Sequence, residues 1–154
     1  MKLAMNGALT IGTLDGANIE ILEAVGAENM FIFGLTADRI QALRTGGSYL
    51  PRDLFENDRR LQRIIGAFDS NLFSPKEPGL FHWIVESLLD RGDAYFHLAD
   101  LPDYIDTQDR VDDTFRQPAT WTSKAILNVS RIGRFSSDRT IAEYARHIWG
   151  IAGV

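Results

Sequence analysis

Residues 9–34 read LTIGTLDGANIEILEAVGAENMFIFG, and the changes of pattern within them decide the fold class. Residues 9–13 form a short β-prone run closed by Asp15 and Gly16, and residues 30–34 form a second apolar run of strand length that ends at glycine. Between them Ala17–Val25 has helical spacing and stops at Gly26, a residue suited to a helix C-terminus. Strand, helix and strand in so few residues predict a right-handed parallel crossover whose strands are apolar enough to be covered on two faces. The expected class is α/β, with this segment at the rim of a doubly wound sheet.

Beyond Gly34, Thr36 is placed to cap a helix over residues 37–45 that Gly46 and Gly47 stop. Helices are expected over residues 52–57 and 59–67, the latter with Leu61, Ile64, Ile65 and Phe68 on one stripe. Pro75 and Pro78 break the chain before a helix over residues 80–89, and residues 95–98 read as a last short strand. From Leu101 onward the pattern is helical: residues 103–115, residues 118–131 with Pro118 in the first turn, and residues 138–149 capped by Ser137. The second half is therefore expected to be nearly all helix. Trp121, Ile126, Ile141, Tyr144 and Trp149 are expected in its core, with Trp83 also a packing residue.

The length of 154 residues is sufficient for one core, and 45% hydrophobic with 24% charged residues excludes a disordered profile. A formal net charge of -5 argues against nucleic acid or an anionic membrane as partner. With no cysteine, neither a disulfide framework nor a thiolate nucleophile or metal ligand is available. No run reaches the ~20 apolar residues of a membrane-spanning helix. The start, MKLAMNGALTIG, breaks its apolar run at Asn6 and Gly7 and is not read as a signal peptide.

His82, His97 and His147 lie apart with no pair at ligand spacing, so no metal site is expected. Gly7, Gly12 and Gly16 do not have the spacing of a dinucleotide fingerprint. Asp15 and Glu20 flank a Gly-Ala-Asn turn; acid-base work by the pair competes with a simpler reading in which Asp15 supports the turn and Asn18 caps or begins the helix. In FSSDRT, residues 135–140, the simpler reading is a helix entry with Ser136 or Ser137 accepting from main-chain N–H groups and Arg139 free to pair with a carboxylate.

MKLAMN, residues 1–6, resembles the end of the cofactor-lysine signature of the α-glucan phosphorylases: Met-Lys, two variable residues, Leu or Met, then Asn. NGALTIGTLDGANIEI (residues 6–21), FIFG (31–34), FSPKEPGLF (73–81) and RFSSDRTIAEYARHIWG (134–150) resemble the same family, in the same order. The resemblance covers essentially the whole chain but only the C-terminal minority of a phosphorylase. It implies the C-terminal part of a GT-B type, Rossmann-like domain, with residues 1–154 forming a partial cofactor-side domain and no complete second domain.

The resemblance makes Lys2 the anchor of pyridoxal 5'-phosphate through a Schiff base, for which burial helps because it disfavours the unreactive ammonium form. The family mechanism uses the cofactor phosphate, beside the substrate phosphate, in proton transfer, so Lys2 would anchor the cofactor and abstract no proton. The glycine-rich turn that holds the cofactor phosphate lies upstream of the position matched by Met1, and weak or absent cofactor binding is expected of these residues alone. An α-amino group is less basic than a lysine side chain, so free pyridoxal phosphate is expected to modify the Met1 amine at least as readily as Lys2. No catalytic residue is assigned within the chain.

The implied activity is transfer of a glucosyl unit from an α-1,4-glucan to phosphate, giving glucose 1-phosphate in the cytoplasm. The isolated polypeptide is expected to be inactive without the upstream domains, and a homo-oligomer is allowed. The rival reading is a non-catalytic remnant or interaction module from a truncated reading frame, with exposed apolar surface that drives association. A sugar-nucleotide glycosyltransferase of similar architecture would leave the lysine signature without a role.

Overall fold

A computed structural model describes residues 1–151. In chain order it contains α1 (Lys2–Met5), β1 (Ile11–Gly12), α2 (Ala17–Val25), a 3-10 turn (Ala27–Asn29), β2 (Phe31–Ile32), α3 (Ala37–Gly46), α4 (Pro51–Asn57), α5 (Arg59–Asp69) and α6 (His82–Val85), which continues as a π turn (Glu86–Asp90). There follow α7 (His97–Phe115), α8 (Pro118–Arg131), a second 3-10 turn (Ile132–Phe135) and α9 (Ser137–Tyr144), which also ends in a π turn (Ala145–Trp149). The chain divides into two compact units, one made of residues 1–32 with the residues from 110 onward, the other of residues 33–109.

In the first unit β1 and β2 pair in parallel, Ile11 opposite Phe31 and Gly12 opposite Ile32. The helix between them has the expected bounds, because Gly26 leaves it at φ 91, a conformation that side chains disfavour. The strands are shorter than the β-prone runs. Beyond Gly12, the Thr13 carbonyl accepts the Asn18 side chain at 2.9 Å and turns the chain away from the ladder. One face of α2 buries Ile21 and Val25 against Ala4, Met30 and Ile132, each large aliphatic contributing about 1.5–3 kcal/mol by leaving water. Polar links close the same core: Asn128, fully buried on α8, donates to Asn29 O at 2.9 Å, and Arg131 donates to Val25 O at 2.8 Å at the end of α2.

The second unit packs Leu61 and Ile65 of α5 on Leu98, with Phe55, Val85, Leu88, Leu89 and Leu101 around them. Asp58 caps α5 by accepting the Arg60 N–H at 2.7 Å, and Thr36 caps α3 by accepting the Arg39 N–H at 3.4 Å.

Several expectations are corrected. Residues 95–98 are no strand: α7 already begins at His97, because the Asp93 carboxylate accepts the N–H groups of His97 (3.0 Å) and Leu98 (2.7 Å) and so starts the helix. The helix expected over residues 103–115 therefore starts six residues earlier, with Pro102 inside it. The last helix is capped by Ser136, not Ser137; its Oγ accepts the Arg139 N–H at 3.3 Å. Ile126, Ile141, Tyr144, Trp149 and Trp83 are exposed, not core, Ile126 and Trp83 each at 63%. Trp121 is half-buried, edge-on to Phe115 at 5.0 Å. Helical spacing reveals an apolar face but not whether anything covers it.

Candidate functional site

Lys2 opens α1, a single turn that the strand-and-helix reading did not include. The turn is seated by Ala4, 2% exposed in the core with Ile21, Val25, Met30 and Ile132. Its neighbours Lys2 and Leu3 stay exposed, so Ala4, with the half-buried Met5 packed on the same core, sets the depth at which the lysine is held. Main-chain bonds close the turn: Met5 N–H to Met1 O at 3.0 Å, Asn6 N–H to Leu3 O at 3.0 Å and Gly7 N–H to Ala4 O at 3.1 Å. Gly7 then turns the chain toward β1 at φ 89, where a side chain would be strained.

The loop between β1 and α2 lies next in the chain. The Thr13 hydroxyl donates to Asp15 Oδ1 at 3.0 Å, and the Asn18 N–H donates to Asp15 O at 3.0 Å. Asp15 thus supports the turn, as its simpler reading held. Asn18 begins α2 as its second residue and does not cap it, the N-cap being Gly16; its side chain reaches back to Thr13. It also lies across Gly12, where a Cβ would stand 2.6 Å from Asn18 Nδ2. In FSSDRT, Arg139 pairs with Glu143 at 2.7 Å and donates to Arg134 O at 2.8 Å, a helix entry built of ordinary capping contacts.

The second unit holds a group of acids that the sequence did not single out. Asp93, 1% exposed, accepts from the Tyr49 hydroxyl at 2.6 Å besides the two α7 N–H groups. Burial above all, then the bond to Asp93 and its charge, push the Tyr49 phenol above the usual tyrosine range. Asp100 accepts the Leu35 N–H at 2.7 Å, and Asp103 accepts the Gly34 N–H at 2.7 Å. Beside them Leu35, Arg39, Tyr49, Asp53 and Leu54 line a cavity of about 320 Å³. The signal for these acids was an i, i+3 spacing of Asp100 and Asp103, which marks one helix face but not what the face holds.

His82 Nδ1 lies 3.1 Å from Asp69 Oδ1, and its Nε2 lies 3.8 Å from Glu86. Among the described residues no group of three or more His, Asp or Glu is arranged to hold a metal ion. No helix among them is long and apolar enough to cross a membrane.

The described residues thus form a mostly helical α/β chain with a small two-stranded parallel sheet. The chain belongs to the carbohydrate phosphorylases, whose family model matches residues 1–151. It is 51% identical over 152 residues to a glycogen phosphorylase of Chlamydia trachomatis, covering 99% of this chain and 18% of that protein. It is 47% identical over 154 residues to a glycogen phosphorylase of Synechocystis, covering 100% and 18%, and 47% identical over 151 residues to the brain form of glycogen phosphorylase of Homo sapiens, covering 98% and 18%. The chain spans 18% of the length of these curated relatives.

Proposed function

We propose that residues 1–154 form the cofactor-side, C-terminal part of an α-glucan phosphorylase with a GT-B type doubly wound architecture. The observation that carries this reading is identity of 47–51% running through 98–100% of the chain. In this reading the whole enzyme transfers a glucosyl unit from an α-1,4-glucan to phosphate and releases glucose 1-phosphate in the cytoplasm. The partners of these residues are the upstream domains that complete the glucan and phosphate sites, and the 154 residues alone are inactive.

Lys2 is the proposed attachment residue for pyridoxal 5'-phosphate. The residues present fit that role in one respect, a primary amine on a turn that Ala4 seats in the core; Lys2 is exposed here, so the burial that favours its reactive form falls to the upstream domains. When bound, the cofactor supplies its phosphate as a proton-transfer partner for the substrate phosphate. This chain contributes the amine that tethers the cofactor, the Ala4 seat that sets its depth, and the core of Ile21, Val25, Met30 and Ile132 that keeps the seat rigid.

Complementation tests the reading. The chain is co-expressed with a polypeptide carrying the remaining domains of a glycogen phosphorylase, and glucose 1-phosphate is measured from glycogen and phosphate. Activity, with borohydride-fixed cofactor on Lys2 and loss of both in Lys2→Ala, is expected. A co-purifying complex that stays inactive and unlabelled overturns the proposal in favour of an interaction module.

A further inference from the structure

The turn that carries Lys2 contains a contact that tethering does not require. Asn6 Nδ2 donates to the carbonyl oxygen of Lys2 at 2.8 Å. In a regular helix that carbonyl would accept from the Asn6 main-chain N–H. Here the Asn6 N–H goes to Leu3 O and the Gly7 N–H to Ala4 O, the tighter pattern of a closing turn. The Lys2 carbonyl, orphaned by this tightening, is satisfied by the carboxamide of Asn6. A four-residue helix does not support itself in water, and what this one buries is Ala4 and part of Met5, since Met1 and Leu3 are 58% and 77% exposed.

Resting on the reading that Lys2 attaches the cofactor, we propose that Asn6 is a positioning residue for Lys2. Its carboxamide ties the Lys2 main chain to the end of the turn, so that the lysine side chain starts from a set point relative to the Ala4 seat. The requirement is for a short donor. Aspartate has the shape without the N–H, and alanine has neither. A threonine hydroxyl can make the equivalent contact: Thr45 Oγ1 donates to Gln41 O, four residues back, at 3.0 Å.

The test uses the complemented assembly with Asn6→Ala, Asn6→Asp and Asn6→Thr, loaded with pyridoxal phosphate at limiting concentration and reduced with borohydride. Peptide mapping then gives the label on Lys2, and the absorbance band of the bound cofactor is read before reduction. The alanine and aspartate variants are expected to retain about three- to tenfold less label and to shift the band, with threonine restoring both. Equal labelling and an unchanged band in all variants overturn the inference while leaving Lys2 as the attachment point. Loss in all three variants, without recovery in threonine, overturns it as well. A wild-type chain that takes no label on Lys2 overturns both the attachment reading and this inference. Asn6 is exposed, so none of the substitutions opens the core; should the alanine variant fail to fold, the isosteric aspartate decides.

Discussion

Asp100 on α7 accepts the main-chain N–H of Leu35 at 2.7 Å, so a carboxylate far along the chain holds the segment that follows β2. Burial raises the Asp100 carboxyl above the usual aspartate range; the Leu35 bond and His97 oppose the rise, while Asp103 and Asp93 add to it. The folded protein therefore holds this proton more tightly than the unfolded chain. Its contribution is favourable below the ordinary aspartate range and is lost as pH rises through the raised value. Asp100→Asn keeps an oxygen for Leu35 and removes the charge. Its urea midpoint is expected above that of the wild type near pH 7, with the gap closing toward about pH 3. A gap that widens in acid would contradict this.

Tyr49 and Asp93 form a coupled pair in the same unit. Tyr49→Phe removes a hydrogen bond to a buried carboxylate and is expected to cost about 1.5–3 kcal/mol. Asp93→Ala costs more, because the His97 and Leu98 N–H groups also lose their acceptor. The double variant is expected to cost less than the sum of the two by about 1 kcal/mol in denaturant unfolding. Strict additivity would show that the contact carries no stability.

Gly12 has no room for a side chain while Asn18 lies across it. Gly12→Ala is expected to push the Asn18 carboxamide off Thr13 O and to destabilise by about 1–3 kcal/mol. Asn18→Ala in the same chain relieves the clash, so the second substitution should cost less in the Gly12→Ala background than alone. Thermal unfolding of the four proteins measures this.

The entry to α9 separates two adjacent serines. Ser136→Ala removes the cap and is expected to cost about 1 kcal/mol. Ser137→Ala, at the first helical position, is expected to stay within about 0.5 kcal/mol of the wild type. Equal losses at both positions would mean that the cap is shared.

Where local chemistry decides an element, the sequence was sufficient: Gly16 and Gly26 bracket α2, Pro118 opens α8, and Thr36 caps α3. Where a particular side-chain contact decides it, the pattern misled. The start of α7 depends on Asp93, whose left-handed backbone at φ 43 and buried carboxylate no propensity reveals. β1 stops at Gly12 where the Asn18 side chain takes up the next carbonyl, that of Thr13. At the candidate site, Lys2 was legible through its place in a family pattern, not through periodicity. Asn6 was visible only as a letter of that pattern, since a carboxamide serving an orphaned carbonyl leaves no trace in spacing.

The first unit is sewn from two ends of the chain, with Ala4 and Met30 in one core with Ile132. During synthesis the lysine turn and the crossover therefore leave the ribosome long before the helix that covers them, whereas residues 33–109 form a contiguous unit that is complete earlier. Domains fold as units in the order in which they emerge. Within these residues the segment that bears Lys2 is thus made before residues 33–109 yet secured after them, and any companion that shields nascent apolar surface would be needed most in that interval.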